Sequence, residues 1–138
     1  MSFIEQKYQM GTDDGYEIVW DISSLLEDII NSNYPICNRC IFEFDEINNS
    51  CGNIEYAMNT NLENPCIVAE LTENTKILID GNHRLFKAKQ LGVENILCYI
   101  LPLEYHKKFI LNYNPSIYEK VVLFYEKTRT DIKRANPK

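Results

Sequence analysis

The sequence predicts an α+β fold: a single compact domain over residues 1–138, with a small mixed sheet and helices at the C-terminal end. Two observations carry this. Residues 76 to 101 read as a strand, a glycine turn, a helix and a second strand, the alternation that builds a sheet covered by helices. No internal repeat, low-complexity run or Gly/Ser-rich joint divides the chain, and 45% apolar residues suffice to fill one core.

Taken in order, Tyr16 to Ile22 mixes aromatic and β-branched residues as a first strand does, and Ser23 or Ser24 is placed to cap a short helix carrying Leu25, Leu26, Ile29 and Ile30. Pro35 bars any continuation of that helix. Ile41 to Ile47 reads as a strand, followed by Asn, Ser and Gly punctuation and a weak helix over 54–61. Cys66 to Leu71 and Lys76 to Asp80 flank the polar turn Thr72-Glu73-Asn74-Thr75, which predicts a β-hairpin. Gly81 permits a sharp turn, and from Asn82 onward Leu85, Ala88 and Leu91 recur at helical spacing until Gly92 supplies the C-terminal stop. The apolar run Ile96 to Leu101 then predicts a buried strand beside its predecessor. Beyond Pro102 the expectation is a helical extension. Tyr105, Phe109 and Tyr113 share one helix face, Ser116 to Glu119 form a capping box, and Ile117, Val121, Phe124, Tyr125 and Thr128 form the apolar stripe of a last helix.

Charge narrows the partners. The formal net charge is -6, yet residues 1–70 carry two basic and thirteen acidic side chains while 71–138 carry twelve basic and seven acidic. Non-specific nucleic-acid affinity comes mainly from cations displacing counterions, so the acidic balance disfavours DNA as a partner and leaves only the second half, with Lys127, Arg129, Lys133, Arg134 and Lys138, able to approach phosphate backbone. Glu5, Lys7, Asp13, Asp14, Glu17 and Asp21 interrupt the N-terminal stretch and no apolar run reaches membrane length, so the chain is expected to be cytoplasmic and off the membrane.

Five cysteines without an export signal are expected as reduced thiols. Cys37-Asn38-Arg39-Cys40 has zinc spacing, with Cys51 or Cys66 as further ligands, but a structural zinc site commonly offers two such pairs and this chain has one. As a redox pair it lacks a following helix N-terminus to lower the thiol pKa. His106, between Tyr105 and Lys107, has no ligand companion nearby in sequence and reads as a surface residue.

The chemistry concentrates at Asp80-Gly81-Asn82-His83-Arg84. The first N–H groups of a helix have no internal partner and lie at the positive end of its dipole, so an anion suits that position. Asn82 can cap the helix, His83 adds a donor, and Arg84 suits bidentate contact with phosphate oxygens. A purely architectural reading exists beside this one: Asn82 a cap, Asp80 an acceptor for the turn, His83 a satisfied imidazole, Arg84 the partner of Asp80.

The run Ile77-Leu78-Ile79-Asp80-Gly81-Asn82-His83-Arg84-Leu85-Phe86-Lys87-Ala88, with Leu91-Gly92 and the strand after it, resembles the ParB/sulfiredoxin-like superfamily over about residues 62–102. The resemblance implies that Gly81, Asn82, His83 and Arg84 hold the phosphates of a nucleotide, CTP, ATP or ADP, with Mg2+. Sulfiredoxins place their catalytic cysteine immediately before the His-Arg pair, where this chain has Asn82, so sulfinic-acid reduction is not expected. Partition ParB proteins carry a Glu and consecutive arginines where Asn82 and His83 stand, add an upstream arginine motif of which only Arg39 is available, and continue into a DNA-reading region for which little chain remains after Pro102. The most similar turn is Asp-Gly-His-His-Arg of the ParB-like free-serine kinases, matched at Asp80, Gly81, His83 and Arg84. A kinase or nucleotide hydrolase of this kind implies catalytic roles for Asp80 and His83, with Asp80 on Mg2+ and an acidic partner from Glu43, Asp45 or Glu46. The other outcome is a non-catalytic interaction module, or one related to DNA partition or nuclease proteins, on the same scaffold.

Overall fold

The computed structural model describes residues 6–41 and 54–135, with side chains described as far as Arg129. Its main sheet has four strands in the order β3-β6-β4-β5: β3 is Cys37–Cys40, β4 Cys66–Thr72, β5 Thr75–Asp80 and β6 Asn95–Leu101. The β4–β5 and β3–β6 pairs are antiparallel and the β4–β6 pair is parallel, so the sheet is mixed as expected. The closing strand β6, however, lies against β4 and not against β5. Between β4 and β3 both edges of its apolar backbone are paired, whereas a place beyond β5 would leave one edge open.

Sheet alternation sends side chains to two separate cores. On one face Cys66 and Val68 of β4, Leu78 of β5 and Ile96 and Cys98 of β6 meet Leu85 and Ala88 of helix α3, Asn82–Gln90. A short helix α2, Ile54–Met58, packs beside α3. On the other face Ile67, Ala69, Leu71, Ile77, Ile79 and Leu101 meet Ile18 and Trp20 of a two-stranded antiparallel hairpin, β1 Lys7–Gly11 and β2 Glu17–Asp21, together with helix α1, Ile22–Asn31, and helix α5, Pro115–Ala135. Strand β1 was not expected; Lys7 to Gly11 alternates between exposed and half-buried positions and offers little apolar signal.

Helix boundaries depart from the sequence reading in one consistent way: the cap lies outside the helix. Asp21 caps α1, its Oδ1 accepting from Ser24 N–H at 3.1 Å and its Oδ2 from the Ser24 hydroxyl at 2.9 Å, while Ser23 Oγ accepts from Gln6 N–H at 2.8 Å. Asn114 caps α5, its Oδ1 accepting from Ser116 N–H at 2.9 Å and Ile117 N–H at 3.1 Å, and Pro115 takes the first helical position, where a missing N–H costs nothing. Ser116 is therefore inside the helix and not its cap. Tyr105, Phe109 and Tyr113 do not share a helix face, because α4 spans only Leu103–His106, a 3-10 turn covers 107–109, and Ile110 is extended and bridges to Trp20 of β2. The strand expected over 41–47 lies largely outside the described residues, and β3 precedes it.

His106 is the clearest correction. It is fully buried, not a surface residue. Strand β6 ends opposite Ala69, so the next β4 carbonyl has no strand partner on that side. His106 Nε2 reaches Glu70 O at 2.9 Å, and Trp20 Nε1–H donates to His106 Nδ1 at 3.1 Å. Because the indole can only donate, Nδ1 is the acceptor and Nε2 carries the proton: the ring is neutral. One residue on, β4 bulges at Leu71, and the Leu71 carbonyl accepts from Tyr118 OH at 2.7 Å. The buried Thr75 hydroxyl donates to Glu126 Oε2 at 2.7 Å, tying the hairpin turn to α5. Tyr105 OH likewise donates to Asp28, tying α4 to α1.

Burial lowers the His106 pKa below its ordinary value, against a smaller opposing effect of its bond to the Glu70 carbonyl. The unfolded chain therefore binds this proton first on acidification, and the stability from the neutral imidazole is complete above the unfolded pKa of about 6.5 and falls as pH drops below it. Urea midpoints measured between pH 7.5 and 5.5 are expected to fall with pH in the wild type, and to fall less in a His106→Gln variant that starts lower.

Candidate phosphate-binding turn

The turn is built at the end of β5. The pairing steps from Ile67↔Asp80 to Val68↔Leu78, leaving Ile79 as an extra residue, and this bulge turns Asp80 toward α3. Gly81 follows with φ 109° and ψ 20°, a left-handed conformation that non-glycine residues rarely adopt. A Cβ here would fall inside the envelope of Cys66 Sγ, 2.8 Å from Cys66 Cβ and 3.2 Å from Arg84 Nη2. The fully buried Cys66 side chain, whose thiol donates to Gly81 O at 3.7 Å, occupies the space that any side chain at position 81 would need.

Gly81 is also the residue from which α3 springs: Leu85 N–H donates to Gly81 O at 2.9 Å, and no side chain caps the helix. Asn82 is thus the first helical residue and not the cap the sequence reading made it. The amides of Asn82, His83 and Arg84 precede the first intrahelical bond and keep their donor capacity. Asn82 is exposed; His83 is half-buried, its ring edge-on to Tyr56 of α2 with centroids 4.7 Å apart. The far end of α3 is closed by Gly92 at φ 70°, with Gly92 N–H to Lys89 O and Val93 N–H to Ala88 O, the Schellman pattern.

Asp80 and Arg84 meet below the turn, Arg84 Nη2 donating to Asp80 Oδ2 at 3.1 Å and to Pro65 O at 3.4 Å. Burial opposes the Arg84 cation, but the neighbouring Cys66 and Asp80 outweigh it and its pKa rises above the usual arginine value. Burial pushes the Cys66 thiol up despite the pull of Arg84. Arg84 Nε is enclosed with no hydrogen-bond partner among the described residues. The guanidinium is therefore turned inward, with one nitrogen bracing the turn, and does not stand out in solvent as an open fork. Lys87, one turn on, donates to Thr60 O at 2.5 Å and fastens α3 to the segment after α2.

The structure brings Asp80, Gly81, Asn82, His83 and Arg84 together as expected from their adjacency. Glu43, Asp45 and Glu46 lie outside the described residues, as does Cys51. Cys37 and Cys40 stand three apart on strand β3, opposite Cys98 and Asn95, and so leave opposite faces of the sheet instead of converging on one ion. Among the described residues no group of three His, Cys, Asp or Glu side chains is gathered for a metal, and no helix is long and apolar enough to cross a membrane. Of the basic tail, Lys127 is exposed and the Arg129 guanidinium stacks 5.9 Å from the Tyr125 ring centroid. Sequence reasoning missed Cys66 as the side chain that fixes Gly81 and Tyr56 as the neighbour of His83; neither has a local pattern that points to the turn. Comparison with protein-family models, characterised proteins and solved structures finds no match to this chain.

The two ends of α3 separate strain from crowding. A Cβ at Gly92 meets nothing within 4 Å, so Gly92→Ala incurs only left-handed strain of about 1 kcal/mol. Gly81→Ala adds the collision with Cys66 and is expected to lose roughly 2 kcal/mol more in urea unfolding.

Proposed function

We propose that Gly81 to Arg84 bind the phosphates of a nucleotide, and that the chain is a nucleotide-binding domain of ParB/sulfiredoxin-like type. The observation that carries this reading is the uncapped start of α3: the amides of Asn82, His83 and Arg84 stand at the positive end of the helix dipole with no side-chain cap, after a glycine held in place by Cys66 packed beneath it. Asn82 would add an exposed amide donor and His83 a ring donor at the rim. Arg84 contributes positive field from beneath while its bond to Asp80 holds the turn in shape.

Binding is better supported than catalysis. Asp80, proposed to carry Mg2+ and take part in phosphoryl transfer, already gives one oxygen to Arg84, so a Mg2+ held here would rest on its remaining oxygen and on the nucleotide phosphates. His83 is the proposed proton acceptor for a phosphotransferase or nucleotide hydrolase. The Asp80–Arg84 ion pair, closed within the turn itself, favours, as a second reading, a scaffold that has kept the turn for its architecture and serves as an interaction module.

Calorimetric titration of CTP, ATP and ADP, with and without Mg2+, is expected to show saturable binding that His83→Ala and an Asn82→Asp variant weaken at least tenfold, the second by placing a carboxylate against phosphate. A folded wild type that binds none of the three at millimolar nucleotide leaves the scaffold reading.

A further inference from the structure

Sequence spacing pairs Cys37 with Cys40, but sheet register pairs Cys37 with Cys98, directly opposite on β6, and Cys98 with Cys66, its parallel neighbour on β4. All three thiols share the sheet face that packs under α3, forming a row across three adjacent strands. Cys66 and Cys98 are fully buried; Cys37, on edge strand β3, is the member of the row that solvent reaches.

We propose that Cys37 and Cys98 are a reversible disulfide site, oxidised by small disulfides such as oxidised glutathione. The Cys37 thiolate attacks one sulfur of the small disulfide, forming a mixed disulfide and releasing one thiolate, which takes a proton. Cys98 then gives up its proton and attacks the Cys37 sulfur, closing the cross-strand bond and releasing the second small thiolate, which takes a proton. Two protein thiols and one disulfide become one protein disulfide and two small thiols.

Geometry permits this bond and makes it labile. Opposed strand residues have Cα atoms about 4.5–5.5 Å apart, inside the range a disulfide spans. Opposed Cβ atoms, also about 4.5–5.5 Å apart, must draw in toward about 3.8 Å, and strain of that kind makes a disulfide easier to reduce. Cys66, the third thiol of the row, packs against Gly81 and Arg84 at the turn. The Cys37–Cys98 link, set by the register of β3 on β6, leaves Cys66 on β4 as a thiol.

The native protein incubated with oxidised glutathione and analysed by intact mass and non-reducing peptide mapping is expected to lose two hydrogens, to show Cys37 linked to Cys98, and to revert with excess reduced glutathione. Cys66→Ser is expected to retain the link, and Cys37→Ser to abolish it. A stable glutathione adduct on Cys37 that never resolves, a link between any other pair, or no reaction in the folded wild type would overturn the proposal; because the mapping is read in the wild type, it does not depend on any variant folding.

Discussion

The first four residues of strand β4 have no solvent on either face, and that constraint organises the rest of the protein. Its residues Cys66 to Ala69 are all buried, so each alternate side chain must find a separate core and each backbone group a partner. Strands β5 and β6 satisfy both edges at its beginning. Beyond Ala69, where β6 stops, and at the Leu71 bulge, the His106 imidazole and the Tyr118 hydroxyl take over the carbonyls. Leaving either carbonyl unpaired would cost about 1–3 kcal/mol, comparable to a large part of a small domain's net stability. The hairpin, α4 and α5 are held to the sheet through these polar contacts as well as through the apolar cluster around Trp20.

The opposite end of β4 shapes the candidate site. Cys66 is its first residue, and its side chain leaves room at position 81 for a hydrogen only. Gly81, the bulge at Ile79 and the inward pull between Asp80 and Arg84 together fix where α3 begins and keep its first amides open. Packing in the core and the geometry of the turn are one arrangement seen from two sides. The cost of altering Cys66 would accordingly appear at the turn as well as in the core.

The elements that were legible in the sequence are those with strong local signals. The hairpin of β4 and β5, helix α3 with its glycine stop, and the apolar strand β6 lie where periodicity and glycine placed them. Strand order was not legible, since Ile96 to Leu101 would look the same beside β5 as beside β4. Nor was the burial of His106: its two neighbours, Trp20 and Glu70, lie 86 and 36 residues away and meet it only through the tertiary fold. The candidate site was legible as a run of five residues because its parts are adjacent. The inward direction of Arg84, the packing of Cys66 beneath Gly81 and the register that aligns Cys37, Cys98 and Cys66 depend on strands distant in sequence, and no local pattern encodes them.

Phosphate binding at the amides that start α3 is the proposal on which the functional reading rests. It is tested most directly by amide NMR of nitrogen-labelled protein during titration with inorganic phosphate and then with ATP, which reads each N–H separately. Phosphate bound there is expected to give saturable shifts centred on Asn82, His83 and Arg84, with Gly81 following and the amides around Gly92 unmoved. Shifts confined to the basic C-terminal helix, or none at the turn at saturating ligand, would contradict it.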